Sequence, residues 1–125
     1  MSDMPFLYQG IETPAEQVVV PGAPADYVGV LGIHGNAAWI AIELVRRHLA
    51  FGRVERWHPI FECTAPGELQ RAFKSASCDA RYFNIWFRGV PSEKDRYGEG
   101  GLCLREVRIV DIFEIREGKV PPYER

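Results

Sequence analysis

The sequence predicts an α+β domain: a mixed β-sheet of about four to five strands with two helices packed on one face. Strand-like and helix-like stretches alternate along the chain in the order β-β-α-β-α-β-β. Apolar residues make up 46% of the 125 residues, which is ordinary for a globular protein with a core of its own. We therefore expect one domain over residues 1–125.

The first part of the chain, residues 1–26, predicts a proline-rich N-terminal arm. It contains four prolines, and each fixes φ and removes a backbone donor, which disfavours a long regular element. The stretch 17–20 (QVVV) is the exception and predicts a short strand. Such an arm packs on its own domain or on a neighbouring subunit, or it is a loosely attached terminus.

The next two segments predict a buried strand followed by a buried helix. The continuous apolar run 27–33 is typical of a strand covered on both faces. Within 37–51, four apolar residues recur at helical spacing, with Asn36 as the N-cap and Gly52 as the residue after the helix. The four are Trp39, Ile42, Val45 and Leu49.

A third strand and a second helix are predicted next. Residues 53–63 alternate in the manner of a strand, and Pro59 places that strand at an edge or at a bulge because proline cannot donate to a ladder. Thr64 is a good N-cap for a helix near 65–76.

Two more strands complete the predicted sheet. Residues 80–88 are rich in aromatic and β-branched side chains, and 102–117 form a long strand candidate. We expect these two strands to be antiparallel and to be joined by a mobile polar loop over 90–101, whose glycines would act as hinges of a lid.

Charge and hydropathy exclude several classes of partner and location. The formal net charge is −2, so no basic field favours nucleic acid. No apolar run approaches the ~20 residues of a membrane span, and the N-terminus lacks the features of a signal peptide. The three cysteines form no Cys-x-x-Cys pair. We expect a cytoplasmic protein without a metal site or a tightly bound cofactor.

The strongest local signal for a ligand lies between the first buried strand and the predicted helix. Ligands in α/β folds bind outside the carboxyl ends of strands, where helix N–H groups favour an anion. Gly32, Gly35 and Asn36 would bind the ligand there, with His34 as a general acid or base. The alternative is a tight turn that contains a capping asparagine and a half-exposed histidine.

One acidic residue and two aromatic residues complete the candidate site. Asp111 lies within an apolar strand pattern, where a carboxylate is costly to bury and could serve as an acid or base. It could equally be neutralised by an arginine or lie on a solvated face. Tyr82 and Trp86 share a strand face that could line an apolar pocket or an oligomer interface, or pack in the core.

Two stretches resemble parts of known families. The ending VDIFEIREGKVPPYER resembles the last strands of SnoaL-like polyketide cyclases, although the buried strand at 27–33 departs from their usual order. YVGVLGI, a helix, FGRVERW and FECTAPGELQRAF together resemble an RNA-recognition motif, from which one strand is missing. We carry no functional residue over from either.

These observations favour a small-molecule-binding domain, with acid–base chemistry by His34 and Asp111 on a small polar or anionic ligand as its enzymatic form. The alternative is a non-catalytic interaction or regulatory module that assembles as a homo-oligomer through its aromatic strand and its arm.

Overall fold

The computed structural model describes residues 6–8, 11–13, 16–35, 37–45, 53–74 and 80–118. Within these ranges the protein is predominantly β, so the predicted α+β sheet with two helices is wrong. The elements are β1 (Phe6–Tyr8), β2 (Ile11–Thr13), β3 (Ala25–His34), β4 (Ala37–Glu43), β5 (Val54–Phe61), α1 (Gly67–Lys74), β6 (Arg81–Pro91) and β7 (Arg105–Gly118), with a 3₁₀ turn at Glu99–Gly101.

Five of the strands form a closed barrel. The order around the wall is β3-β4-β5-β7-β6, and β6 pairs with β3 to complete the circle. Every neighbouring pair is antiparallel except β5 and β7, which are parallel. β1 and β2 form a separate two-stranded sheet. This strand order, with α1 between the third and fourth barrel strands, is the topology of the OB-fold, a small Greek-key barrel.

The main error of the sequence interpretation lies at residues 37–45, where β4 and its flank replace the predicted helix. β3 and β4 pair up to His34↔Ala37, so only two residues, 35 and 36, connect them. Gly35 has φ +60°, the left-handed conformation that two-residue hairpin turns require. Asn36 and the rest of the predicted helix, 46–51, lie outside the described residues.

A period of two explains the same segment better than a period of 3.6. Ile40, Ile42 and Leu44 alternate into the core and are almost fully buried. Trp39, Ile42 and Val45 are spaced three residues apart and suggested a helix, so the segment fits both periods. The short turn to β3 decides between the two periods.

Apart from the stretch 17–20, the structure contains the other predicted strands and the second predicted helix. The strand expected at 27–33 lies within β3, those at 53–63, 80–88 and 102–117 correspond to β5, β6 and β7, and the helix near 65–76 is α1. β6 and β7 are antiparallel, as predicted.

The strand predicted at 17–20 is wrong, because a side chain makes the contacts that a strand would have made. The Gln17 amide accepts from the N–H of Val28 on β3 (2.8 Å) and donates to its carbonyl oxygen (3.0 Å). The same amide nitrogen donates to the carbonyl oxygen of Glu43 on β4 (3.1 Å). Gln17 is buried, so this part of the arm is fastened to its own barrel.

The core fills the barrel, and α1 closes one end of it. Leu69 and Ala72 are the buried residues of α1 and belong to the same apolar cluster as the inward side chains of all five strands. The aromatic and large aliphatic members contributed by the strands are Tyr27, Leu31, Ile33, Ile40, Ile42, Trp57, Phe83, Ile85, Phe87 and Ile109.

Candidate functional site

A cleft opens in the barrel wall at the point where the ladder between β4 and β5 stops. The last registered pair is Ile40↔Trp57, and Pro59 follows two residues later on β5. The N–H of Glu62 donates to Ile109 of β7 (2.9 Å), so by alternation the Pro59 nitrogen faces the β4 side. Because proline has no N–H, the ladder cannot continue there, and Pro59 lies where β5 has one neighbour only.

The cleft has a volume of about 390 Å³, within the usual range for small-molecule sites. Its walls are the start of β4, the middle of β5 and the segment that precedes β7. The lining residues are Ala37, Ala38, Trp39, Arg56, His58, Gly98, Gly100, Leu102 and Cys103. None of these described lining residues is acidic, although the chain as a whole has 17 acidic and 15 basic residues.

One wall of the cleft is an aromatic and cationic stack. A Cβ atom at Gly32 on β3 would overlap Cε2 and Cζ2 of the Trp39 indole, so glycine is what lets this ring lie against the strand. The Arg56 guanidinium lies over the indole, 5.3 Å from its centroid, and the Tyr82 ring meets it edge-on at 6.3 Å. These contacts preorganise Arg56, and such a cation–π pair contributes about 0.5–1 kcal/mol at an exposed site.

His58 lies beside Arg56 on the same outer face of β5. Its Nδ1 lies 3.6 Å from a carboxylate oxygen of Glu106 on β7, its partner in register. That is too long for a hydrogen bond but close enough for an ion pair when the imidazole is protonated. A Cβ atom at Gly98 would lie 3.4 Å from both His58 Cδ2 and Cys103 Sγ, so these two side chains flank the glycine inside the cleft.

The segment 92–104, which lines the cleft, continues the β6–β7 hairpin through backbone hydrogen bonds. Ser92 donates its N–H to Glu106 (2.8 Å), and Asp95 donates to Leu104 (2.9 Å). Further along, Tyr97 and Cys103 exchange two backbone hydrogen bonds of 2.9 and 3.0 Å. The segment predicted as a mobile polar loop, 90–101, is therefore hydrogen-bonded to the residues before and at the start of β7, and its first two residues belong to β6.

A buried ion pair inside the barrel holds the base of this segment. Glu55 and Arg105 are both buried, and Arg105 Nε donates to Glu55 Oε1 at 2.9 Å. Arg105 Nη1 also donates to the carbonyl oxygen of Ser92 (2.8 Å), and Trp57 Nε1 donates to Glu55 (3.0 Å). Burial alone would raise the pKa of Glu55, but hydrogen bonds from Trp57 and Arg105 and the charges of Arg105 and Lys94 together lower it.

The structure does not bring the predicted catalytic residues together. His34 is exposed at the end of β3, and Asp111 is exposed on β7. Asp111 pairs in register with Arg88, which pairs with Asp26 near the start of β3. His34 is eight residues further along that strand, so roughly 26 Å separates the two sites. The helix N-terminus that would have favoured an anion beside His34 is absent, because a strand begins there.

The predicted ligand-binding residues are divided among three places. Gly32 and Tyr82 pair across β3 and β6 and support the Trp39 indole from behind, next to the cleft. Gly35 forms the β3–β4 turn, and Asn36 lies outside the described residues. Trp86 is 41% exposed on the outer face of β6, where its ring centroid lies 5.1 Å from that of Phe113.

Sequence reasoning missed the cleft because it assigned the key residues to other elements. The predicted helix over 37–51 contains Trp39, and the predicted strand over 102–117 contains Cys103 near its start. One signal was available in the sequence: Pro59 interrupts an alternating strand that carries Arg56 and His58 on one face.

No protein-family model matches the chain, and no curated protein or solved structure matches it either. The resemblances to polyketide cyclases and to the RNA-recognition motif therefore gain no support. Within the described residues, no three His, Cys, Asp or Glu side chains are arranged to hold a metal ion. None of the described helical segments is long and apolar enough to cross a membrane.

Proposed function

We propose that this protein is a binding domain for a small anionic ligand, which occupies the cleft between β4, β5 and the segment 92–104. The observation that carries the proposal is the charge of the lining. Arg56 and His58 line the cleft without any acidic residue among the described lining residues, in a chain with a net charge of −2. Glu106 lies 3.6 Å from His58 but outside the lining, so the Arg56 charge is what favours an anion in the cleft.

The geometry supports specific binding by Arg56. Its guanidinium lies on the Trp39 indole, so little side-chain freedom is lost when an anion binds. Guanidinium donors match the oxygens of carboxylates and phosphates and form charge-assisted hydrogen bonds. His58 supplies a second donor two residues along the same strand face.

The remaining lining predicts a ligand with an apolar part. Leu102 is 71% exposed at the rim of the cleft, and the Trp39 indole and two alanines form the opposite side. An apolar or ring-shaped group between them would cover Leu102 and gain about 25 cal/mol per Å² of apolar surface removed from water.

The position of the cleft on the barrel is a second support. In OB-fold barrels the ligand face is formed by the second and third strands, together with the loops after the first and the fourth. In this chain those elements are β4, β5, the turn at 35–36 and the segment 92–104. Because a fold by itself does not determine a function, the charge of the lining stays the main argument.

The proposal is limited to binding. The acid–base chemistry predicted from the sequence used His34, at the end of β3, and Asp111, in the middle of β7, which do not meet. The prediction that the chain does not bind nucleic acid is retained, because its net charge is negative. Labelled single-stranded DNA at low salt, followed by fluorescence anisotropy, tests that part. We also propose a cytoplasmic location.

A titration of the ¹⁵N-labelled protein with benzoate tests the proposed function. We expect amide shifts confined to 37–39, 56–58 and 98–103. Arg56→Gln should weaken binding about tenfold or more, since hydrogen bonds to charged groups contribute about 1.5–3 kcal/mol. Arg116→Gln, which removes an equal charge from an exposed ion pair on β7, is the matched control and should bind as the unmodified protein does. Shifts elsewhere, or equal losses in both variants, would contradict the proposal.

One observation favours the alternative of an interaction module that forms a homo-oligomer. Trp86 and Phe113 are each 41% exposed and contact each other on the outer face of β6 and β7. Light scattering after size-exclusion chromatography measures the mass in solution. Under this alternative a dimer should form and Trp86→Ser should dissociate it, whereas a monomer at high micromolar concentration would exclude it.

A further inference from the structure

We infer that the anionic group recognised in the cleft is a phosphate monoester. This inference rests on the proposed function, because it assumes that the cleft binds an anion. It adds the chemical class of that anion, and it is carried by the glycine wall of the cleft, which lies next to His58.

That wall exposes backbone to the cleft. Gly98 and Gly100 line it, and glycine presents no side chain. Gly98, Gly100 and Gly101 have φ of +73°, +70° and +66°, conformations that other residues adopt only with strain. The N–H of Gly101 donates to the carbonyl oxygen of Gly98 (3.1 Å), which closes a tight turn. Successive N–H groups in turns that contain left-handed residues converge to form concave sites for anions.

On this inference both walls supply donors: the side chains of Arg56 and His58 on β5, and the backbone of Gly98 and Gly100. Arg56 and His58 extend from β5, and the glycine turn lies against the imidazole, since a Cβ atom at Gly98 would lie 3.4 Å from His58 Cδ2. A carboxylate has two oxygens in one plane and is satisfied by a single fork of donors. A phosphate monoester has three terminal oxygens in a tetrahedral arrangement and nearly two negative charges, so it can use both walls at once.

The apolar remainder of the lining favours a small ester over a polynucleotide. Besides Arg56 and His58, the lining contains Trp39, two alanines and Leu102, which suit one apolar or ring-shaped group. A diester chain would need a track of basic residues along the surface. Within the described lining, Arg56 is the only arginine, and lysine is absent.

The experiment compares phenyl phosphate, benzoate and phenol by isothermal titration calorimetry. All three carry the same ring, so differences report the anionic group. We expect phenyl phosphate to bind at least about tenfold more tightly than benzoate, as one or two further charge-assisted hydrogen bonds would produce, and phenol to bind least.

A glycine substitution tests the backbone wall. In Gly100→Ala the new methyl group forces strain at φ +70° beside the anion site, and we expect about a tenfold loss for phenyl phosphate with less than about a twofold change for benzoate. The matched control is Gly22→Ala, which carries the same kind of strain at φ +81° with nothing within 4 Å of its Cβ, outside the lining of the cleft. It should change neither affinity.

The outcomes separate this inference from the proposed function. If benzoate binds as tightly as phenyl phosphate, or if Gly100→Ala weakens both equally, the cleft is an anion site but not a phosphate site. If single-stranded DNA binds and phenyl phosphate does not, a polynucleotide replaces the monoester. If neither benzoate nor phenyl phosphate binds, the proposed function fails together with this inference.

Discussion

The two sides of the barrel wall differ in how completely they are closed. The β6–β7 side has ten registered pairs and stays closed through two irregularities in register. The β4–β5 side has only four pairs and stops before Pro59. A bulge adds a residue and lets the ladder resume, whereas a proline removes a donor and ends it. The interrupted side therefore contains the cleft, and the continuous side is structural.

The ion pairs follow the same division. Next to the interrupted side, Glu55 of β5 and Arg105 of β7 meet inside the barrel and support the segment that lines the cleft. On the β6–β7 side, Arg81 and Glu117 form a two-point contact of 2.8 and 2.9 Å on the outer surface. Removing the arginine should therefore lower stability more inside the barrel than on the outer surface, because burial decides how much an unpaired charge costs.

The largest expected effect comes from Arg105→Met. It removes the buried cation of the pair and leaves Glu55 with the exposed Lys94 ammonium at 3.7 Å and the Trp57 hydrogen bond, which should lower the free energy of unfolding by about 3 kcal/mol. Arg81→Met is the matched control on the outer surface and should cost no more than about 1 kcal/mol. Urea denaturation measures both. Equal losses would show that the two sides of the wall do not differ in this way.

A smaller effect is expected from Gly32→Ala. The added methyl group would overlap the Trp39 indole, so the ring must move and Arg56 with it. We expect a stability loss of about 1–3 kcal/mol, typical of overpacking, together with weaker binding of benzoate. Denaturation and NMR titration measure the two quantities. Gly22→Ala should leave benzoate binding unchanged, and a Gly32→Ala protein with full affinity would exclude a role for the stacked ring.

The smallest effect concerns acid pH. Despite the opposing effect of burial, the hydrogen bonds from Trp57 and Arg105 lower the pKa of Glu55 below its ordinary value of 4.5. A carboxyl whose folded pKa is lowered stabilises the fold above its unfolded pKa, and that contribution is lost as the pH falls through the folded value. Stability should therefore fall below about pH 4.5.

The Arg105→Met protein provides the comparison for this pH dependence. Without the arginine, only the Trp57 hydrogen bond and the Lys94 charge oppose the effect of burial, so the pKa of Glu55 should be higher than in the unmodified protein and the acid-induced loss should shrink. Thermal unfolding between pH 7 and pH 3 measures both proteins. Parallel curves would mean that Glu55 is not the group responsible.

Local patterns predicted most of the elements but not their arrangement. Composition, the alternation of apolar residues and the helix caps are local in the sequence. They predicted the strands β3, β5, β6 and β7 and the helix α1. Barrel closure depends on pairings between distant residues, such as Ile33↔Arg81, which no local pattern contains. Segment 37–45 fits two periods, and the dipeptide Gly35-Asn36 before it is the sequence signal for a two-residue hairpin turn that decides between them.

The candidate site was harder to predict for the same reason. Trp39, Arg56 and Cys103 come from three separate segments, and they become neighbours only when β5 pairs with β7 and the segment 92–104 folds back. The predicted residues Gly32 and Tyr82 lie close to the cleft, but they support an indole. The side chains of His34 and Asp111 suit acid–base chemistry, but the fold does not bring them together.

The parallel pairing of β5 with β7 also sets the time in which this chain can fold. The β3–β4 hairpin joins neighbouring residues and can form in about 1–10 μs. Trp57↔Arg105 and Ala25↔Gly89 join residues far apart in sequence, and such closures carry a large entropic cost before they add stability. The inward residues Ile40 and Ile42 therefore stay uncovered until the slower strands arrive, and during that interval the nascent protein is most exposed to aggregation.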